Sequence, residues 1–174
     1  MIVVLGLVVR DGSTPVDDWF QRGRGSGLGW LLFFTDFRTM LLALACALGL
    51  ALYRQRGTLT AVVAVTPVAA VWLSWLCKQL FGRLKEGAVA YPSGHTTLMV
   101  TVRGMLILVV GARLWVVLAA AVWAMLGMVG QAVTYHYFTD TVGALLLGSS
   151  VVCIAAAIVH RARHLSFTDL SPGR

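Results

Sequence analysis

Apolar runs at about 37–53, 59–77, 95–111, 114–132 and 139–159 dominate the chain, and only short polar stretches interrupt them. Each run meets or approaches the roughly 17–25 apolar residues that carry a helix across a bilayer. Arg54-Gln55-Arg56-Gly57 and Gly111-Ala112-Arg113 separate neighbouring runs, and a tail from His160 follows the last. Connections this tight leave little room for a soluble domain, and no internal repeat or low-complexity segment divides the chain. Residues 1–174 are therefore expected to form one membrane-embedded domain.

The N-terminal stretch adds two shorter elements. Residues 1–9 are apolar but stop at Arg10-Asp11-Gly12. Nine helical residues cover only about 14 Å, roughly half a bilayer core, so a short first span is expected. It lacks the basic leader and the small-residue cleavage site of a signal peptide. Thr14-Pro15-Val16-Asp17 then offers a capping hydroxyl, a proline at the first helical position and an acid three residues after the cap. Val16, Trp19 and Phe20 share one face while Asp17, Asp18 and Gln21 stay polar, which predicts an interfacial helix within 14–24. Residues 22–29 read as a loop. The expected fold is all-α: a polytopic membrane helix bundle of about six transmembrane helices, the first one short.

Composition agrees. Of 174 residues 59% are hydrophobic and 12% charged, and the mean hydropathy is +0.83. The net charge of +7 comes from 14 basic and 7 acidic residues. Most of the basic residues flank apolar runs, so the bilayer and an anionic lipid, not nucleic acid, are the expected partners. Cys46, Cys77 and Cys153 lie in or at the ends of apolar runs and fit no metal spacing. Alternation puts the loops at 54–57 and 111–113 and the tail on one side. Residues 10–36, Lys78 to Ser93 and Thr134 to Thr139 fall on the other. Basic residues number six on the first side and seven on the second, with Arg103 inside a span. Lys78, Arg83 and Lys85 belong to a candidate site, and setting them aside places the short loops in the cytoplasm. The composition is rich in Ala, Val and Arg and poor in Lys, which points to a GC-rich bacterial source. The expected location is thus a bacterial inner membrane, with the site facing the periplasm or outside. Homo-oligomerisation stays open.

Three segments on that outer side carry chemistry. Lys78-Gln79-Leu80-Phe81-Gly82-Arg83-Leu84-Lys85 brings three cations to the end of a span. Tyr91-Pro92-Ser93-Gly94-His95 opens a helix whose first N–H groups are free to face an anion, with an imidazole alongside. His136 and Asp140 are four residues apart, on one face if the last helix begins near Tyr135. A carboxylate there holds one imidazole nitrogen and leaves the other as a nucleophile. Each segment alone has a plainer reading: snorkelling cations, a helix start, an interfacial pair. Their convergence on one membrane face is what points to a site.

With these residues in view, the chain resembles the type 2 phosphatidic acid phosphatase superfamily of integral membrane lipid phosphatases. That pattern is Lys, six residues, Arg-Pro; then Pro-Ser-Gly-His; then Ser-Arg, five residues, His, three residues, Asp. The match runs from Lys78 to Asp140. The resemblance implies that His136 attacks phosphorus to form a phosphohistidine, Asp140 orients it, and His95 protonates the leaving oxygen. It further implies that Lys78, Lys85, Ser93 and Gly94 hold the phosphate, with neither metal nor cofactor. The chain departs from the pattern twice. Lys85-Glu86 replaces Arg-Pro, with Arg83 as a second guanidinium nearby, and Val129-Gly130 replaces Ser-Arg, leaving Gln131 as the nearest polar side chain. One charge-assisted hydrogen bond is worth about 1.5–3 kcal/mol, so its loss costs roughly ten- to a hundredfold in rate. Arg103, mid-span, is expected either to support the site from beneath with Gln131 or Asp36, or to pair for structure alone.

The expected function is hydrolysis of a lipid mono- or diphosphate: phosphatidic acid, phosphatidylglycerol phosphate or polyprenyl diphosphate. The alternatives are phosphotransfer through the same histidine, a catalytically weakened lipid-phosphate binder, and a haem protein using His95 and His136.

Overall fold

Capping residues and glycines set the element boundaries in the computed structural model, which describes the backbone of residues 1–168 and side chains through 164. Helix α1 spans Ile2–Val8 and α2 spans Pro15–Gln21. A 3-10 helix, Gly27–Thr35, leads to Asp36, whose carboxylate accepts the N–H groups of Arg38 and Thr39 and so starts α3, Phe37–Tyr53. Helix α4 runs Gly57–Phe81 and stops at Gly82, whose φ of 61° is left-handed. A small hairpin follows, β1 Leu84–Lys85 against β2 Ala88–Val89, with Leu84 opposite Val89 and Lys85 opposite Ala88. Its two turn residues, Glu86 and Gly87, have φ of 53° and 81°, the backbone a two-residue turn between twisted strands requires. Ser93 caps α5, Gly94–Val110; α6 spans Leu114–Thr134 and α7 Phe138–Thr168.

The all-helical bundle expected from the sequence is present, with a different span count on length. Among the described residues four stretches are long and apolar enough to cross a membrane: Gly27–Tyr53, Gly57–Phe81, Leu114–Thr134 and Phe138–His164. Helix α5 has 17 residues and falls just short, while α1 has seven, about 10 Å. Three local expectations also change. The loop expected over 22–29 gives way to the 3-10 helix from Gly27, the interfacial helix is confined to Pro15–Gln21, and the hairpin was not foreseen.

Helix α5 is the buried axis. Met99, Val102, Met105 and Val109 along it are at most 1% exposed. Small residues bring α7 onto it: a Cβ at Gly104 would lie 2.4 Å from Val152, and one at Gly148 2.9 Å from Val100. Large apolar side chains such as Leu42, Trp72, Leu118 and Val122 point outward, as they do where lipid replaces water. At one end of the bundle, Phe20 of α2 stacks on Phe138 at 4.3 Å. There too the Gln21 amide donates to the carbonyls of Ala132 and His136. Tyr91 is fully buried and donates its hydroxyl to the Ile2 carbonyl at 2.7 Å, tying α1 down.

Candidate functional site

The C-terminal end of α4, the hairpin, the start of α5, the α6–α7 junction and α2 meet at that same end. Helix α7 begins at Phe138, so His136 lies in the turn before it and not on its first turn. The His–Asp approach survives because Asp140 reaches back: its Oδ2 accepts the Tyr137 N–H at 3.0 Å, one half of a capping arrangement. That oxygen also lies 3.5 Å from His136 Nδ1, within ion-pair range but short of a hydrogen bond. Nδ1 is therefore the nitrogen turned toward the carboxylate, and Nε2 is the nitrogen left for chemistry.

Arg83 holds the other oxygen of Asp140. Its Nη1 donates to Asp140 Oδ1 at 2.7 Å and to Thr139 Oγ1 at 2.6 Å, while Nη2 donates to Asp17 Oδ2 at 2.9 Å and to the Gly12 carbonyl at 2.6 Å. All three charged side chains are 0% exposed. The sequence suggested Arg83 as a phosphate ligand. With both terminal nitrogens engaged, the geometry makes it a strut that orients Asp140. Asp17 is the residue the sequence did not single out. It completes the capping box of α2 with Thr14 and accepts from Thr139 N at 2.8 Å and Thr139 Oγ1 at 2.9 Å. Burial alone would raise its pKa; hydrogen bonds from Thr139, Thr14 and Arg83 outweigh that and leave it lowered. The available signal was Arg83 itself, since a buried guanidinium between one carboxylate and the bilayer needs a second counter-charge.

The cations differ in their freedom. Lys78 Nζ donates to the hairpin carbonyls of Val89 at 2.9 Å and Ala90 at 3.1 Å. Lys85 is only 8% exposed, its Nζ has no hydrogen-bond partner, and it sits 4.9 Å from the Tyr137 ring centroid. Burial, and then the nearby charge of Arg24, push the Lys85 ammonium below its usual pKa, against the pull of Glu86, Asp140 and Asp17. Arg24 and Glu86 form an exposed ion pair at the hairpin tip.

Ser93 is buried; its N–H donates to the Asp140 carbonyl at 3.1 Å and its Oγ accepts from Thr96 N. The N–H groups of Gly94 and His95 lie outside the intrahelical ladder, as the first groups of any helix do. The exposed His95 imidazole is within electrostatic range of His136 and Lys78. Lys78, Lys85, Ser93, Gly94, His95, His136 and Asp140 are thus gathered at one end.

Two expected supports are elsewhere. Gln131 turns its amide to Thr35 Oγ1 at 2.8 Å, against the 3-10 helix. Arg103 bonds to neither Gln131 nor Asp36; its guanidinium lies 3.9 Å from the Trp123 ring centroid. Gly130, which stands where the family pattern has arginine, is packed on the 3-10 helix: a Cβ there would fall 2.6 Å from the Leu31 carbonyl carbon. Against protein-family models, curated proteins and solved structures, the chain matches none.

Proposed function

We propose that the protein is an integral membrane phosphatase of the type 2 phosphatidic acid phosphatase kind, acting on a lipid mono- or diphosphate. The observation that carries this is the buried, unpartnered Lys85 ammonium beside a histidine whose Nδ1 faces a buried carboxylate. An ammonium with no acceptor in a dry environment is costly by itself and becomes favourable once an anion arrives.

In this reading His136 Nε2 attacks phosphorus in line with the leaving alkoxide, and the positive charge that builds on the ring draws Nδ1–H toward Asp140. Lys85, Lys78 and the N–H groups at the start of α5 offset charge on the non-bridging oxygens. His95 supplies the proton to the leaving oxygen and afterwards takes one from water that cleaves the N–P bond, returning His136 to its starting state. Arg83 and Asp17 position Asp140 and do not touch substrate. Helix α5 and α1 complete a bundle of about six membrane segments in a bacterial inner membrane, with the site outward.

Purified protein in detergent or vesicles, offered phosphatidic acid, phosphatidylglycerol phosphate and polyprenyl diphosphate with and without chelator, is expected to release phosphate from at least one class regardless of chelator. Absence of release from all three would overturn the reading, and transfer of phosphate to an added lipid alcohol in preference to water would redirect it to phosphotransfer.

A further inference from the structure

The end of α7 away from the site carries the two histidines that the reaction does not use. His160 and His164 lie 22 and 26 residues past Phe138, about 33 and 39 Å along the helix axis. They are four residues apart and therefore share one helix face. Both side chains are exposed, and their rings meet edge to face with centroids 4.4 Å apart. Nε2 of one lies 3.0 Å from Nε2 of the other. Two ring nitrogens that close share either one proton or an electrophile that takes a lone pair from each.

The spacing narrows the electrophile. Imidazole–metal bonds are about 2.0–2.1 Å long. With the nitrogens 3.0 Å apart, two such bonds meet at roughly 90–100° on the metal. That is the angle between adjacent positions of a tetragonal or square-planar centre, the geometry of copper(II) and nickel(II). A tetrahedral zinc site would hold the same nitrogens about 3.3–3.4 Å apart. Magnesium and calcium prefer oxygen ligands and gain little from two imidazoles. Among the described residues no group of three or more metal-ligating side chains forms, which leaves the remaining positions to water. Arg161 and Arg163 flank the pair about 80° to either side around the helix, and because both are exposed, solvent weakens their repulsion of a cation.

We propose that His160 and His164 form a two-imidazole binding site for a divalent transition-metal ion of tetragonal preference, copper(II) before nickel(II). Each Nε2 gives its lone pair to the metal while the proton of each neutral ring stays on Nδ1, and no electron is transferred. The site is a property of the folded helix, because in the unfolded chain nothing holds the two rings together. Binding therefore favours the folded form of this stretch of α7.

The test uses the full chain, purified without a histidine tag, in detergent, which leaves both ends of the bundle open to solute. Copper(II) chloride is the probe; calorimetry reads affinity and electron paramagnetic resonance reads ligand type. The wild type is expected to show a copper signal with nitrogen coupling. His160→Ala and His164→Ala are each expected to weaken binding at least about tenfold, a loss that even an outer-shell partner can cause. Both positions are exposed, so the variants should fold, and circular dichroism checks that they do. His95 and His136 stay in every variant, so any metal held at the other end of the bundle contributes equally to each titration. Copper(II) is expected to bind more tightly than nickel(II), and nickel(II) more tightly than magnesium. Affinity unchanged in either single variant overturns the proposal, as does zinc(II) bound as tightly as copper(II). So does a wild-type copper(II) titration that matches the double variant His160→Ala/His164→Ala, because the 3.0 Å approach is then a shared proton only.

Discussion

At Lys85 an ammonium is held 8% exposed with no acceptor, while the neighbouring cation Arg83 is bonded to Thr139 and ion-paired with both Asp17 and Asp140. Sequence distance says nothing about which of two cations near a span end will be spent on structure; the count of buried acids around each one does. Lys85→Met is accordingly expected to leave thermal stability unchanged or raised while KM for lipid phosphate rises about ten- to a hundredfold, the worth of one charge-assisted contact. Because the folded-state pKa of Lys85 lies below 10.5, its stability penalty is full below that folded value and fades as pH climbs from there toward 10.5. The wild type should therefore gain stability over that window, and Lys85→Met should lose the slope. Asp140→Asn keeps the shape but not the charge opposite Nδ1, and a fall in kcat of about 10²- to 10⁴-fold is expected in phosphate-release assays, with KM little altered. His136, Asp140, His95 and Lys85 were legible as site candidates because chemistry-bearing side chains are rare in apolar sequence. Asp17 was not, because an acid three residues after a helix cap has an ordinary explanation that happens also to be true.

Among the elements, α2 and the 3-10 helix do what the sequence did not reveal. Helix boundaries from Phe37 to Phe138 follow hydropathy closely, since lipid demands long apolar helices and punctuates them sharply, whereas α7 runs past the end of its apolar stretch at 159 to Thr168, through the residues expected as a tail. Helix α2 reads as an amphipathic surface helix, yet Asp17, Gln21 and Phe20 lock it onto the α6–α7 junction. The hairpin was missed because its strands are two residues long and Glu-Gly is a weak turn signal. If α2 holds Asp140 through Arg83, then Asp17→Asn should lower kcat more than it changes KM. It should also flatten the acid limb of stability. The lowered Asp17 pKa contributes stability that is fully present above 3.8 and is lost as pH falls from there through the folded value. Thermal unfolding of both proteins between about pH 2 and pH 5 checks this, a span that covers the ordinary aspartate pKa and the range below it. The 3-10 helix explains the absent arginine: Leu31 fills the space beside Gly130. Restoring the family residue with Gly130→Arg is expected to destabilise the bundle, by about 1–3 kcal/mol or more for overpacking, and not to raise the rate. Higher activity in that variant would mean that the 3-10 helix gives way and that the missing cation limits catalysis.

Across the whole molecule, two charged centres lie at different depths and face different neighbours. At one end, polar groups from α2, α4, the hairpin, α5 and α7 enclose a histidine, and the Lys85 ammonium, Arg83 Nε and Thr96 Oγ1 there are buried without a hydrogen-bond partner. Midway along α5, Arg103 lies against the Trp123 ring, and among the described residues its Nε and Nη2 donate to nothing. The claim that the reaction passes through His136 is open to direct observation. Purified protein is mixed with phosphatidic acid, phosphatidylglycerol phosphate or polyprenyl diphosphate carrying radioactive phosphorus, then quenched in alkali, which preserves an N–P bond, and the label on protein is counted. The account predicts transient label on the wild type, none on His136→Ala, and longer-lived label on His95→Ala, where the water step is slowed. Phosphate release by His136→Ala at the wild-type rate, or turnover by the wild type with no labelled protein at any time, would contradict it.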